Sequence, residues 1–168
     1  DTSPSGVMLH YRQTDLGWFP LRPRSLIHPQ EQIAVPKPFD AVLGVGDAGA
    51  VAEVILRGGT RVISLGSTQE GRFGFEVLQG QIVIRRKDAA PADQPLSLRI
   101  VARSHVYMVQ LLEPGTIAGV EVIPLLPTGE GDDRGAHWCE GGIAVTAGAA
   151  TVAVDDLPPV TLNTAVGW

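Results

Sequence analysis

Glycine and proline punctuate this chain so densely that long helices are excluded from most of it. Twenty glycines and thirteen prolines stand among 168 residues. The longest stretch free of both is 96–113, LSLRIVARSHVYMVQLLE. A mean helix needs about eleven residues. Glycine and proline in a helix interior cost about 1 and 3 kcal/mol relative to alanine. Even 96–113 opens with period two: Leu96, Leu98, Ile100 and Ala102 alternate with Ser97, Arg99, Val101 and Arg103. Successive side chains on a strand point to opposite faces, so this spacing predicts a strand rather than a helix of period 3.6.

Other alternating or β-branched runs lie at 7–12, 40–45, 51–57, 60–65, 73–78, 81–86, 105–112, 116–125, 143–147, 151–155 and 160–164. Short turn-like separators join them: Gly58-Gly59, Gln79-Gly80, Pro114-Gly115, Gly141-Gly142 and Gly148. The pattern predicts an all-β fold, a β-sandwich, roll or solenoid of about twelve short and mostly antiparallel strands. The chain is expected to form a single β-rich domain over 1–168, with halves at roughly 1–90 and 96–168. Segments 87–95 and 127–137 read as exposed loops. Segment 20–38 carries Pro20, Pro23, Pro29, Pro36 and Pro38 and is expected to wrap the surface in an extended form. The two halves also look alike. Leu78–Ile84 can be laid over Cys139–Val145, with Gly59-Thr60 upstream of one and Gly115-Thr116 upstream of the other.

Composition narrows the function classes. Hydrophobic residues make 44% of the chain but aromatic ones only 5%, so a core must be built from Val, Ile, Leu and Ala. A net charge of -5 argues against nucleic-acid binding, which needs clustered positive charge. The run Arg85-Arg86-Lys87 reads as a solvated strand end. No apolar run approaches the roughly 18 residues of a membrane span. The single cysteine, Cys139, forms no intramolecular disulfide and no thiolate zinc site. The first residues lack an initiator Met and a signal peptide, and both ends read as cuts through a longer polypeptide.

One motif invites a cofactor. Gly44-Val45-Gly46-Asp47-Ala48-Gly49 fits G-x-G-x-x-G after an apolar run, the spacing that lets a strand turn into a helix whose amides meet a pyrophosphate. Its context is wrong for a nucleotide-binding enzyme. The following run is short for a crossover helix, and no acid follows Leu65 where one would bind a ribose. The glycines are expected to form a β-hairpin tip, with 50–57 as the returning strand. His10, His28, His105 and His137 lack metal-ligand spacing. His105 reads as a half-buried strand residue. His137 and Cys139 share a strand parity, which suggests a Cys–His nucleophile, but Cys139 opens an apolar strand and reads as core. Asp132-Asp133 and Asp155-Asp156 read as solvating acids, since neighbours on a strand point apart. No catalytic, cofactor or metal residue is therefore assigned. Trp18, Tyr107 and Trp138 are the candidate interaction surface.

The run Glu53–Val62, containing Gly58-Gly59-Thr60, is followed by Phe75–Ile84 with its Gln79-Gly80 turn. This order resembles the FecR-type extracytoplasmic regulatory domain. Gly141–Val145 is similar to its repeated turn and strand, Val160–Leu162 to its closing strand, and Val7–Arg12 with Trp18 and Leu21 to its opening. The second Gly-Thr-x-Phe of that pattern is only Gly115-Thr116-Ile117-Ala118 here. The resemblance implies a non-enzymatic domain on the periplasmic side, part of a membrane-anchored regulator, that senses or binds a protein partner. A carbohydrate- or cell-wall-binding β domain is the alternative.

Overall fold

A computed structural model describes residues 6–12, 16–46, 51–67, 73–90, 93–125 and 138–164. Among them are thirteen strands and no helix. In chain order these are β1 (Leu9–Arg12), β2 (Gly17–Pro20), β3 (Gln32–Ala34), β4 (Ala41–Val45), β5 (Ala52–Leu56), β6 (Arg61–Ser67), β7 (Phe73–Arg86), β8 (Leu96–Ala102), β9 (His105–Leu111), β10 (Ile117–Leu125), β11 (Trp138–Ala147), β12 (Ala149–Val154) and β13 (Val160–Asn163). The fold is all-β, and every ladder is antiparallel except β7–β8.

The ladders form two arms that share β7. One arm runs β2-β1-β3-β6-β7-β8-β9-β12-β13, and the other runs β4-β5-β7-β10-β11. The first half of β7 pairs with β6 and β8, and the second half with β5 and β10. Residues 73–78 and 81–86 are thus one strand, not two joined by a tight turn. The reason is visible in the parity of burial. Phe75 and Val77 are buried before the bend, and Ile82, Ile84 and Arg86 after it. The inward set passes from odd to even positions across Gln79-Gly80. There Gly80 has φ +93° and the β6 register slips between Arg61 and Val62. A bulge bends a strand and re-aims its faces without ending it. Inner residues of both arms, Val54, Leu56 and Ile84 from one and Ile33, Val62, Leu98 and Ile100 from the other, belong to one core cluster.

The internal likeness takes a different register from the one the sequence suggests. Thr60 and Thr116 are both buried at corners where the chain passes between arms, after β5 and after β9. A Cβ on Gly80 would lie 2.6 Å from the Cα of Thr60, and one on Gly148 would lie 2.5 Å from Oγ1 of Thr116. Gly80 therefore corresponds to Gly148, not to Gly141 or Gly142. The backbone bond Arg57 N–H to Gln81 O (3.0 Å) has its counterpart in Leu112 N–H to Ala149 O (3.1 Å). The copies differ in one group. The Thr60 hydroxyl donates to Gln81 O at 2.9 Å and accepts from Gln81 N–H at 3.0 Å. Among the described residues, Oγ1 of Thr116 has no such partner.

Four further expectations are corrected. The proline-rich segment does not only wrap the surface. Its residues 32–34 form β3 inside the larger arm, and Ile33 and Val35 are buried. Alternation of apolar residues there outweighs the flanking prolines. The Arg85-Arg86-Lys87 run is not a solvated end. Arg86 shares inward parity with Ile82 and Ile84 and is 0% exposed. Its guanidinium donates to the carbonyls of Leu112 (2.7 Å), Gln94 (2.9 Å) and Leu111 (3.3 Å). Arg85 lies directly across from Glu53 and pairs with it, as does Lys87 at 3.3 Å. Partial burial raises the Glu53 carboxyl, but Arg85 and Lys87 outweigh it and hold that carboxyl below its usual range. His105 is exposed rather than half-buried, because it opens β9 directly after a turn with Arg103 at φ +56°. Its Nδ1 meets Asp155 Oδ2 at 2.7 Å, and Asp155 Oδ1 accepts the Val106 N–H at 2.8 Å. Asp155 is thus a turn clamp and not merely a solvating acid.

Candidate functional site

The G-x-G-x-x-G run begins in β4, which pairs antiparallel with β5: Ala41 with Leu56, Leu43 with Val54, and Val45 with Ala52. A strand follows the motif where a nucleotide cradle needs a helix. That antiparallel return is the expected β-hairpin and not the strand-to-helix turn of a dinucleotide fold. Of the expected hairpin tip Gly46-Asp47-Ala48-Gly49, residues 47–49 lie outside the described residues.

Among the described residues β4 pairs with β5 alone and is an edge strand, which fixes its hydrogen-bond parity. Lys87 N–H donates to Val51 O and Arg57 N–H to Gln81 O, both at 3.0 Å, at the two ends of β5. The odd residues of β5 therefore turn their peptide groups toward β7. The even ones, Ala52, Val54 and Leu56, turn theirs toward β4, where they face Val45, Leu43 and Ala41. N–H and C=O of one residue point the same way in an antiparallel ladder, and the direction alternates along the strand. Val42 and Gly44 consequently direct their amides and carbonyls away from the sheet. Among the described residues, no backbone bond from another element reaches them.

That edge borders a cavity of about 400 Å³. All five residues of β4 line it, so the backbone edge is presented rather than one face of the strand. Facing it are the segment 21–29 and the far end of the β6–β7 hairpin, with Ser64, Gly66, Phe73 and Phe75. Leu21, Ile27, Met8 and Leu43 make the walls largely apolar. Arg22 and Arg24 are the only charged residues among the described lining. The 21–29 segment is held on both sides. Leu21 N–H donates to Met8 O at 2.8 Å, and Gln30 N–H to Ser64 O at 2.7 Å. Pro29 lies over Gly66. Leu26 remains 81% exposed, the most exposed large apolar side chain described.

The three residues expected to form an interaction surface are not brought together. Trp18 is on β2, in a row with Tyr11, Gln32 and Ile63. This row alternates with buried Ile33 and Val62, so it is the outer face of its arm. Tyr107 is on β9 opposite Ile100 and shares parity with buried Val109 and Leu111, on the inner face of the same arm. Trp138 begins β11 on the other arm, and its side chain lies outside the described residues. Trp18 makes an edge contact with Tyr11 at 5.5 Å between ring centroids, and the Arg61 guanidinium lies over its ring at 5.5 Å. One face of that indole is therefore occupied from within the chain. His137 and the Cys139 side chain also lie outside the described residues, as do Asp132 and Asp133. Among the described residues, no cluster of His, Cys, Asp and Glu has the arrangement to hold a metal ion.

Composition and motif spacing passed over Val42 and Arg22, and read Gly44 only as part of a glycine motif. The available signal was Gly44 itself, since glycine inside a strand marks close approach of another backbone or a ligand. Compared with family models, curated proteins and solved structures, the chain finds no match.

Proposed function

We propose that this chain is a non-enzymatic, FecR-like β module of a larger membrane-anchored regulator. It works on the extracytoplasmic side as a sensing or protein-interaction domain, and its working surface is the edge of β4. One observation carries this reading: the outward amides and carbonyls of Val42 and Gly44 border an apolar slot. An exposed edge is a template for an added strand, whose main-chain bonds give affinity while adjoining pockets select side chains. Soluble proteins ordinarily blunt such edges with charge, proline or a covering loop. β4, Ala-Val-Leu-Gly-Val, has no charge and no proline.

The test uses the whole chain and a seven-residue peptide that alternates threonine and valine. Binding should shift the amide resonances of Val42 and Gly44 and slow their hydrogen exchange. The Gly44→Pro variant should abolish both effects at Val42, because it removes an outward donor and no internal bond. Peptide binding that leaves those two amides unchanged would refute the assignment of this edge.

A further inference from the structure

We infer that the strand taken up beside β4 is an acidic one: an extended segment of another protein, about five residues long to match β4, in which apolar residues alternate with carboxylates. This rests on the reading of β4 as a docking edge and adds to it the chemistry of the partner.

Charge favours an acidic occupant. The whole chain carries a net charge of -5, yet the described lining of the slot holds no acid and two arginines, of which Arg24 is already engaged within the chain and Arg22 is the one that meets the occupant. Among the described residues, the two acids flanking the slot along the chain are engaged elsewhere. Asp40, just before β4, accepts from the Arg57 guanidinium and from Gly58 N–H. Glu31, just after the 21–29 segment, accepts from His28 N–H at 2.9 Å. Neither lines the slot. Arg22 is exposed, and its carbonyl accepts the Ser25 N–H at 3.2 Å, which sets the turn that carries it along the slot. An incoming strand directs alternate side chains to opposite faces. One set would meet the apolar walls made by Leu21, Leu43 and Phe73, and the other would pass Arg22. A second copy of this chain fits poorly. Its own β4 would arrive with its own 21–29 segment and bring Arg22 toward Arg22.

The test measures binding of three seven-residue peptides to the full chain by isothermal titration. Valine alternates with aspartate, threonine or lysine. The aspartate peptide should bind about threefold or more tighter than the threonine peptide, and the lysine peptide weakest. The exposed Arg22→Gln variant should remove about two- to fivefold of the aspartate peptide's affinity, the range of an exposed ion pair. About 0.5 M salt should erase most of the difference. Equal binding of the aspartate and threonine peptides, both abolished by Gly44→Pro, overturns the acidic partner and leaves the edge reading standing. Absence of binding by all three, or binding indifferent to Gly44→Pro, removes the edge reading itself. Near-UV circular dichroism of Gly44→Pro separates lost binding from lost folding, and Arg22→Gln tests the charge without touching the strand. Decanoate serves as a fourth probe. If it binds in an Arg22-dependent manner that Gly44→Pro leaves intact, the occupant is a small apolar anion and the inference fails. It also fails if gel filtration gives a dimer that Gly44→Pro dissociates.

Discussion

Replacing Arg86 by methionine keeps most of the side chain's length and removes its donors. Two effects then oppose each other. Burying a guanidinium costs several kcal/mol, and methionine relieves that cost. The acceptors, however, are backbone carbonyls of Leu111, Leu112 and Gln94, which no side-chain substitution can remove. Each carbonyl left buried without a donor costs about 1–3 kcal/mol. Among the described acceptors, the Leu111 carbonyl is fully buried and dominates the balance, whereas the two shorter bonds, at 2.7 and 2.9 Å, go to carbonyls that are only partly buried. The net expectation is a loss of about 2–4 kcal/mol, because unsatisfied acceptors outweigh the recovered desolvation. For a chain of this size that lowers the melting temperature by about 5–15 °C. Arg86→Lys should fall between, since one ammonium cannot span acceptors on both sides. Differential scanning calorimetry reads the shift. A melting temperature for Arg86→Met within about 2 °C of the parent would refute the reasoning, because the carbonyls would then have found water.

The two corner threonines should part company. Thr60→Val breaks two bonds to Gln81 and is expected to cost about 1–3 kcal/mol, whereas Thr116→Val should be neutral or slightly stabilising, as judged by urea denaturation. The His105 ring and the Val106 amide hold the Asp155 carboxyl below its usual range. A depressed carboxyl contributes stability above its unfolded pKa and loses it as pH falls through the folded one. Asp155→Asn should therefore flatten the acid limb of a melting-temperature profile and leave its slope above neutral pH unchanged. Titration with reduced nicotinamide nucleotide should leave tryptophan fluorescence unchanged apart from inner-filter loss. Saturable quenching would contradict the hairpin made by β4 and β5.

Strand positions were legible because they rest on local alternation, as in 96–102 and 105–111. What local alternation does not carry is where an inward face changes parity. Gln79-Gly80 has the composition of a turn, yet the strand continues through it because β5 and β10 wait on the far side with matching ladders. Arg86 was readable in principle. It shares parity with Ile82 and Ile84, but its two basic neighbours disguise it as a charged run. The repeat was visible and misaligned, since the hairpin between β10 and β11 is longer than that between β6 and β7, and Gly141-Gly142 mimics the corner that Gly148 makes. The slot was the least legible part. Whether a strand is an edge depends on which other strands arrive beside it, and nothing in Ala-Val-Leu-Gly-Val states that none does. The aromatic residues drew attention by rarity, and rarity does not fix the side of a sheet on which a ring lies.

One continuous strand common to both arms makes each a lever on the other. Pulling β7 out of register would strip the middle rung from two ladders together, so neither layer has an intermediate state in which it melts alone. Heat should take the molecule apart in a single calorimetric peak. Tension exerted at β4 by a captured segment would pass through β5 into this keel and reach β8 on the opposite flank.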